Sequence, residues 1–482
     1  MSPFRKTLAL SFAENYTIMF VSFIGSMFLA RLLTPADIGI FSVGAVLVGL
    51  AHIMRDFGVG QYIIQEKELT KDRIRAAMTI TLGLGWSMAA VLALLSVPAA
   101  VFYAEPGVRN VMLVLAANFI LIPFGSVSMS YMRREMKFGV LYWVRSLGAL
   151  THTGTAVALA LMGVGYMSLA WASMVGIAVT LVLTTLWRPK GLPWLPGWRE
   201  LRRVLRFGSF LSGANIVNEA GRGAPDLIIG KVQSMEAVGL FGRANGMIEL
   251  FNRMIGTAIG TVVAPYFAAE HRAGQDLKPI YLRILHLVSS ISWTFFIFIG
   301  LMAYPLINLL FGSQWNESVP IVRILCLWAL MNSTFRFSAQ LYIALGEVKV
   351  YAKLQFLTQL VTVVFILASA PFGLKAVAAS FVAAACVNAV LIMRQLRELI
   401  GVRSREIAAR LLPSAVVAGA SALAPLATIA VFGLESERFW LVLPLAGIGA
   451  GFGWLISIYV VKHEISHEVD LVLAKIRGTF KK

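Results

Sequence analysis

Apolar segments long enough to cross a membrane recur along the chain, from Leu8 to Val461. A helix needs about 20 mostly apolar residues to cross roughly 30 Å of hydrocarbon. Residues 78–103 exceed that length and lack the period of two that strands of a membrane barrel show. Because 58% of the residues are hydrophobic, only 14% are charged and the mean hydropathy is +0.78, we predict an all-α polytopic membrane protein.

Charged and turn-forming residues divide these segments into about fourteen predicted transmembrane helices. The predicted spans are 8–30, 38–60, 76–103, 109–131, 140–162, 165–187, 207–231, 238–264, 281–311, 319–345, 351–371, 374–396, 407–432 and 439–461. If the N-terminus is cytoplasmic, all but five of the lysines and arginines outside the spans lie on the cytoplasmic side. By the positive-inside rule, this asymmetry predicts that both termini are cytoplasmic.

A shift of 200 positions aligns two short segments, RLLTPADIGIF from Arg31 and KVQSMEAVGLF from Lys231. Each segment joins the first predicted helix of one half to the second helix on the outer side. We therefore predict a parallel repeat of two six-helix lobes, related by an axis along the membrane normal. The predicted domains are an N-terminal lobe with a cytoplasmic linker (1–200), a C-terminal lobe (201–400), and two extra helices with a basic amphipathic cytoplasmic tail (401–482).

Polar side chains interrupt several predicted spans at helical spacing. They are Glu14 in the first span, Asn215, Glu219, Arg222 and Asp226 in the seventh, Glu249 in the eighth, and Asn332 and Arg336 in the tenth. A charge facing lipid costs roughly 3 kcal/mol even on the lenient insertion scale, so these faces are predicted to border protein or water. One alternative is purely structural, with ion pairs inside single helices, Glu219 with Arg222 and Glu249 with Arg253.

The functional alternative is a hydrated central cavity between the two lobes. Seven arginines lie within the predicted spans, against five carboxylates. This excess suits an anionic phosphate or acidic sugar, because guanidinium pairs with oxyanions in a bidentate manner. The predicted substrate-binding residues are Arg222, Arg336, Arg145, Arg55, Asn332 and Asn215, and the predicted ion-coupling residues are Glu219, Asp226, Glu249 and Glu14. For Arg145, extension of the side chain to the membrane interface is an equal alternative.

Other function classes find little support in the sequence. There is no Walker motif or nucleophile elbow, so we predict that the chain is not an enzyme and uses no cofactor. His463 and His467 have i,i+4 spacing but stand in a charged tail, and no metal site is predicted. The lysines and arginines form no continuous basic face, so nucleic acid is not a predicted partner.

The sequence also allows predictions for two segments outside the spans. The loop 188–206, with three prolines and six basic residues, is predicted to be the cytoplasmic hinge between the halves. The tail that starts at His463 is predicted to lie on the membrane surface, with Ile465 and Val469 toward lipid and its basic end near anionic head groups.

The stretch from Phe28 to Gln65 contains LLTP followed by an acidic residue and a glycine, and then DFG, a glycine and IIQ. With EAVGLFGRANGM at 236–247, it resembles the Wzx-type polysaccharide transporters, oligosaccharide flippases of the multidrug/oligosaccharidyl-lipid/polysaccharide (MOP) exporter superfamily. The resemblance covers about the first 400 residues and is diffuse outside these pieces. Substrate contacts in that family form no fixed motif, so no site residue is taken from it.

The resemblance implies a V-shaped pair of six-helix lobes with two further helices. Such a protein moves an undecaprenyl-pyrophosphate-linked oligosaccharide to the periplasmic leaflet of a bacterial inner membrane by alternating access, with coupling to an ion gradient. The implied partners are that lipid-linked oligosaccharide, membrane lipids and the polysaccharide polymerase or export machinery. The alternatives are a drug/cation antiporter of the same superfamily, a lipid II flippase, and a membrane scaffold that organises polysaccharide enzymes without transporting.

Overall fold

The computed structural model describes the backbone of residues 3–56 and 58–479. It also describes their side chains, except those of residues 3–6, 8, 56, 205–218, 257–258, 472–473 and 475–479. Helices make up nearly all of this described part, and no β-strand occurs in it. The predicted all-α class is confirmed.

Eleven helices of the described part are long and apolar enough to cross a membrane. A twelfth span is counted if the bent pair Met235–Gly256 and Ile259–Arg272 forms one crossing. Helices also occupy two other predicted positions, Phe138–Leu161 and Leu201–Val232, but these are too polar to belong to the eleven. The multi-pass architecture is therefore confirmed, whereas the predicted count of fourteen spans is not.

The chain divides into two compact units, Met1–Gly239 and Leu240–Lys482. The helices of the first unit are α1 (Pro3–Leu32), α2 (Pro35–Asp56), α3 (Val59–Gln65), α4 (Lys71–Tyr103), α5 (Pro106–Arg134), α6 (Phe138–Leu161), α7 (Met167–Leu186) and α8 (Leu201–Val232). In this unit α4 packs along α5, α6 packs on α1 and α7, and α2 packs on α5 and α8. Ser42 of α2 and Asp226 of α8 meet at one of these helix contacts.

Helix boundaries repeat at the predicted offset of 200 residues. α1 ends at Leu32 and α2 begins at Pro35, while α8 ends at Val232 and the next helix, α9 (Met235–Phe251), begins at Met235. The two N-terminal turns are also capped alike. The hydroxyls of Thr34 and Ser234 each accept a hydrogen bond at 3.1 Å from the backbone N–H three residues later.

Gly39 and Gly239 bring these two repeated turns into backbone contact. A Cβ atom on Gly39 would overlap the carbonyl oxygen of Met235, and one on Gly239 would overlap that of Pro35. Neither position can hold a side chain unless the backbone moves. The glycines that align in the sequence are thus the point of closest approach between the two turns.

The linker 188–206 is attached to the first unit. The backbone N–H of Gly197 donates to the Thr79 hydroxyl at 3.0 Å, and the hydroxyl lies 2.7 Å from the Gly197 carbonyl oxygen. The Arg188 guanidinium stacks on the Trp194 ring at 4.1 Å, so the proline-rich part of the linker is also ordered by packing. A role of this segment as a hinge stays a prediction.

Glu66 secures the start of α8. Its carboxylate pairs with Arg203 of α8 at 3.2 Å and with Arg73 of α4 at 3.4 Å. Burial alone would raise the pKa of Glu66, but a hydrogen bond from Tyr62 and the two guanidinium groups lower the pKa overall. The charged carboxylate therefore ties the end of the linker to α3 and α4.

The second unit holds most of α9 and all later helices. They are α10 (Thr257–Arg272), α11 (Leu277–Leu301), α12 (Ala303–Leu310), α13 (Ser318–Thr334), α14 (Ser338–Ala344), α15 (Val348–Ser369), α16 (Leu374–Ile400), α17 (Ser404–Phe432), α18 (Phe439–Val460) and α19 (Ile465–Thr479). α11 packs on α13 and α17, α17 packs on α18, and α16 packs on α13 and α15. A hydrophobic cluster that includes Val263, Phe267, Tyr281 and Leu341 joins α10, α11 and α14.

The tail helix α19 packs on its own unit. Ile465 is buried in a cluster with Val417 of α17 and Ile458 of α18, and Val469 packs against the same cluster. The prediction that Ile465 points toward lipid is therefore wrong. Its apolar side chain is covered by α17 and α18, and this contact was not readable from the amphipathic pattern alone.

Candidate functional site

The polar face of α8 lies against α2 in the first unit. The Ser42 hydroxyl donates to Asp226 Oδ2 at 2.7 Å. Two turns earlier on α8, Glu219 lies opposite Gly49, where a Cβ atom would be 3.5 Å from Glu219 Oε1. Both predicted ion-coupling carboxylates are part-buried. The side chain of Asn215, on the same predicted face, lies outside the described residues.

Arg222 is the exposed member of this face. Among the described residues it has no hydrogen-bond or ion-pair partner, so the local pair of Glu219 with Arg222 is not formed there. A guanidinium that is not neutralised by a neighbour keeps all of its N–H donors for a ligand. Within the first unit, Arg222 is therefore the predicted substrate residue best suited to bind an anion.

Glu14 of α1 and Arg145 of α6 form an ion pair, in which Arg145 Nη1 donates to Glu14 Oε1. Glu14 is buried, and the Arg145 side chain is 40% exposed. The two residues were predicted for different roles, ion coupling and substrate binding, yet here they neutralise each other. The carboxylate of α1 therefore holds the Arg145 head group, and extension of this side chain to the interface stays a prediction.

Arg55 is buried at the end of α2. Its guanidinium carbon lies 5.6 Å from the ring centroid of Phe119 on α5, and the His52 ring packs on the same phenyl ring at 4.4 Å. This cation–π contact stabilises the charge within the helix bundle. The sequence pattern did not indicate Phe119, because an aromatic residue in an apolar run carries no sign of its partner.

Two interrupted helices of the second unit meet at Arg336. A π-helical turn, Asn252–Gly256, precedes a 50° bend into α10, and residues 335–337 separate α13 from α14. Arg336 Nη1 donates to Asn252 Oδ1, and Asn252 Nδ2 donates to Glu249 Oε1 at 3.2 Å. An amide thus links the guanidinium to the carboxylate. Such breaks are frequent at functional sites, because they free backbone and side-chain groups from the regular helix.

Gly256 provides the space for this guanidinium. A Cβ atom at this position would lie 2.5 Å from Arg336 Nη2 and 2.7 Å from Arg336 Cζ. The predicted local pair of Glu249 with Arg253 is not formed in the described part, since Arg253 is exposed and Glu249 accepts from Asn252. Asn252 follows Glu249 at helical spacing in the sequence, whereas nothing in the sequence indicated Gly256.

Asn332 is the remaining predicted substrate-binding residue of the second unit. It lies one turn before Arg336 and is exposed. Gln340, one turn after Arg336, has a buried Oε1 with no hydrogen-bond partner in the described part. A further arginine, Arg243, lies 4.5 Å from the ring centroid of Phe311 and 4.7 Å from that of Trp315. These aromatic rings hold Arg243 by packing, so it is not added to the site.

The segment HEISH, residues 463–467, has the spacing of a zinc-protease motif, but its two histidines do not converge. His463 is buried with both ring nitrogens in hydrogen bonds, and His467 is exposed. Over the described ranges, no group of three or more His, Cys, Asp or Glu side chains is placed to hold a metal ion.

Sequence comparison gives a match over residues 28–320 to a family described as polysaccharide biosynthesis protein. Among characterised relatives, the chain is 23% identical over 334 residues to the lipopolysaccharide biosynthesis protein WzxC of Escherichia coli (strain K12). That alignment covers 67% of this chain and 66% of the E. coli protein. The chain thus spans slightly less than two thirds of the length of that relative.

Two solved structures share the fold. The lipid II flippase MurJ in an inward closed conformation has a TM-score of 0.73 at 9% identity, and the match covers 94% of this chain and 99% of that one. An inward-facing multidrug resistance MATE family transporter of the MOP superfamily has a TM-score of 0.65 at 15% identity, with 82% and 95% of the two chains covered. At these identities the likeness concerns the fold alone.

Proposed function

Since the chain belongs to the family of polysaccharide biosynthesis proteins, we propose that it flips an oligosaccharide repeat unit, carried on undecaprenyl pyrophosphate, across the bacterial inner membrane. The exported product would be an exopolysaccharide, a lipopolysaccharide O antigen or a capsule. Transport proceeds by alternating access through a cationic central cavity. Both termini are cytoplasmic, and lobes 1–200 and 201–400 are followed by two extra helices and a tail.

The observation that carries this proposal is the state of two arginines that lie within spans predicted from the sequence. Arg222 has no partner among the described residues, and Arg336 is bonded to the neutral amide of Asn252. An ionised group within a membrane span is costly and is typical of a substrate pathway. Each guanidinium offers the planar donor fork that a phosphate or an acidic sugar requires.

The other predicted residues take supporting roles in this proposal. Asn332 is an exposed neighbour of Arg336 and binds the sugar, and Asn215 is assigned the same role on α8. Arg55 and Arg145 guide the anionic group at the entrance. Glu219, Asp226, Glu249 and Glu14 are the carboxylates whose ion binding is coupled to transport, and the polymerase or export machinery receives the product.

Depletion of the protein tests the function directly. We expect an undecaprenyl-linked oligosaccharide to accumulate on the cytoplasmic leaflet, and wild-type protein, but not Arg222→Ala, to clear it. Arg222→Ala removes an exposed side chain, so membrane levels of the protein should be unchanged. Equal clearance by the variant would favour a scaffold that does not transport. Loss of drug resistance without lipid accumulation would favour an antiporter, which the MATE likeness in fold makes worth measuring.

Ion coupling is tested at Asp226. Asp226→Asn keeps an acceptor for the Ser42 hydroxyl but removes the charge that cation binding requires. We expect the variant to fold and transport in vesicles to lose its acceleration by an imposed ion gradient. Ser42→Ala is the control, since it removes the hydrogen bond and keeps the carboxylate, and it should retain the acceleration. A gradient response that survives in Asp226→Asn would exclude Asp226 from coupling.

A further inference from the structure

Two buried histidines from distant parts of the chain stack on each other in the second unit. The ring of His286, on α11, lies 3.7 Å from that of His463, between α18 and α19, with 14° between the ring planes. Their residues are 4% and 1% exposed, respectively. Neither has a part in the proposed transport. A cavity of about 550 Å³ adjoins both rings and gives them a path to solvent.

The hydrogen bonds of these rings fix where their protons are. His286 Nδ1 lies 2.7 Å from the Arg410 carbonyl oxygen, which can only accept, so Nδ1 carries a proton. His463 Nδ1 lies 3.2 Å from the backbone N–H of Ile465, which can only donate, so this nitrogen is unprotonated. His463 Nε2 therefore carries the proton and donates to Ser414 Oγ at 3.1 Å. His463 is neutral in this arrangement.

The neutral ring of His463 holds the start of α19. Its Nδ1 accepts from the first backbone N–H of that helix, and its carbonyl oxygen accepts from both the N–H and the hydroxyl of Ser466. His463 thus satisfies donors that a helix start leaves without partners. The buried Ile465 side chain follows directly, so the position of α19 depends on this cap.

We propose that His286 and His463 form a proton-binding site whose occupation releases α19 from α11 and α17. A proton on His463 Nδ1 would remove the acceptor of the Ile465 N–H and turn two donors toward each other. It would also place a cation 3.7 Å from the His286 ring. Both consequences act on the same helix start, so protonation and release are linked.

Most charged groups around the two histidines form ion pairs with one another. Those that line the adjoining cavity are Glu406 and Arg410 from α17 and Lys462 and Glu464 from the turn; Lys278 and Arg283 of α11 and Glu468 of α19 stand behind them. Glu406 pairs with Lys278 at 2.8 Å, and Glu464 pairs with Arg410 at 2.7 Å. Arg283 bridges to Glu464 at 3.6 Å and to Glu468 at 3.4 Å. The carboxylates are thus largely neutralised by cations other than imidazolium.

Burial and the neighbouring His286 lower the pKa of His463 to about 4, although Glu464 acts in the opposite direction. When α19 is released, the imidazole regains an ordinary pKa of about 6.5. The docked helix is therefore fully favoured above that value and loses stability as the pH falls from about 6.5 toward 4. Between pH 7.5 and 5, the docking equilibrium should weaken by about 30-fold.

Amide hydrogen exchange of the full-length protein in lipid nanodiscs tests this linkage. We expect protection factors in α19 to fall by about 30-fold between pH 7.5 and 5 in the wild type. His463→Asn supplies a side-chain oxygen that caps α19 without titrating, so its protection should not change with pH. His467→Asn, on the exposed face of the same helix, is the matched control and should respond like the wild type.

A wild-type protection that is constant over this range overturns the proposal, as does an equal loss in His463→Asn. If His463→Asn fails to dock α19 at either pH, the decision rests on the wild type alone. Titration of its labelled imidazoles by NMR would then give His463 a pKa near 4 if the proposal holds. A value near 6.5 would show that docking and protonation are independent.

Discussion

Replacement of Arg336 by alanine is expected to lower transport by at least about tenfold while the protein remains in the membrane. The change removes a guanidinium that donates to Asn252 and leaves that part-buried amide without its charged partner. Hydrogen bonds of charged groups contribute about 1.5–3 kcal/mol, which corresponds to roughly 10- to 150-fold in an equilibrium. Arg336→Lys keeps the charge without the planar fork and should retain an intermediate rate. Flipping by purified protein in vesicles is the measurement.

Gly256 offers a second way to displace the same group. In Gly256→Ala the new methyl would lie within 3 Å of three guanidinium atoms, so Arg336 must leave its place although its charge is intact. We expect a loss of transport close to that of Arg336→Ala. Gly260→Ala, one turn later, is the matched control, because its methyl would meet only the Phe337 ring at 3.9 Å. Normal transport in Gly256→Ala would mean that the position of Arg336 does not matter.

Gly39→Ala and Gly239→Ala are each expected to destabilise the protein by about 3 kcal/mol or more, because each methyl would overlap a backbone carbonyl and not a movable side chain. The loss should appear as a lower Tm of the detergent-solubilised protein. Gly83→Ala in α4 has open space around it and should be neutral or gain about 0.5–1 kcal/mol. If all three variants melt alike, the glycine contact is not a determinant of stability.

The parts that were predictable from sequence are those set by local pattern. Apolar length predicted the helices, and the aligned Gly39 and Gly239 predicted the repeated junction, since equal sequence at equal spacing gives equal turns. Spacing also placed Asp226 and Glu219 on one face of α8. Their partners on α2 lie more than 160 residues away in the chain, and no local pattern could select Ser42.

The structure differs most from the sequence-based expectations where side chains from distant helices pack on one another. Glu14 and Arg145 were assigned to separate roles, and only the packing of α1 on α6 makes them a pair. Ile465 has the spacing of a lipid-facing residue, yet α17 and α18 cover it. An apolar side chain gains similarly from lipid and from protein, so hydropathy does not distinguish these environments.

The π-helical turn at Asn252–Gly256 changes how α10 is rotated about its axis relative to α9. One surplus residue within a turn rotates all later positions by about 100° around the helix axis, compared with an uninterrupted helix. Val263 and Phe267, which follow this turn in α10, are buried in the cluster with Tyr281 and Leu341. The π-helical turn therefore sets which face of α10 carries these two side chains, relative to the faces of α9 before the bend.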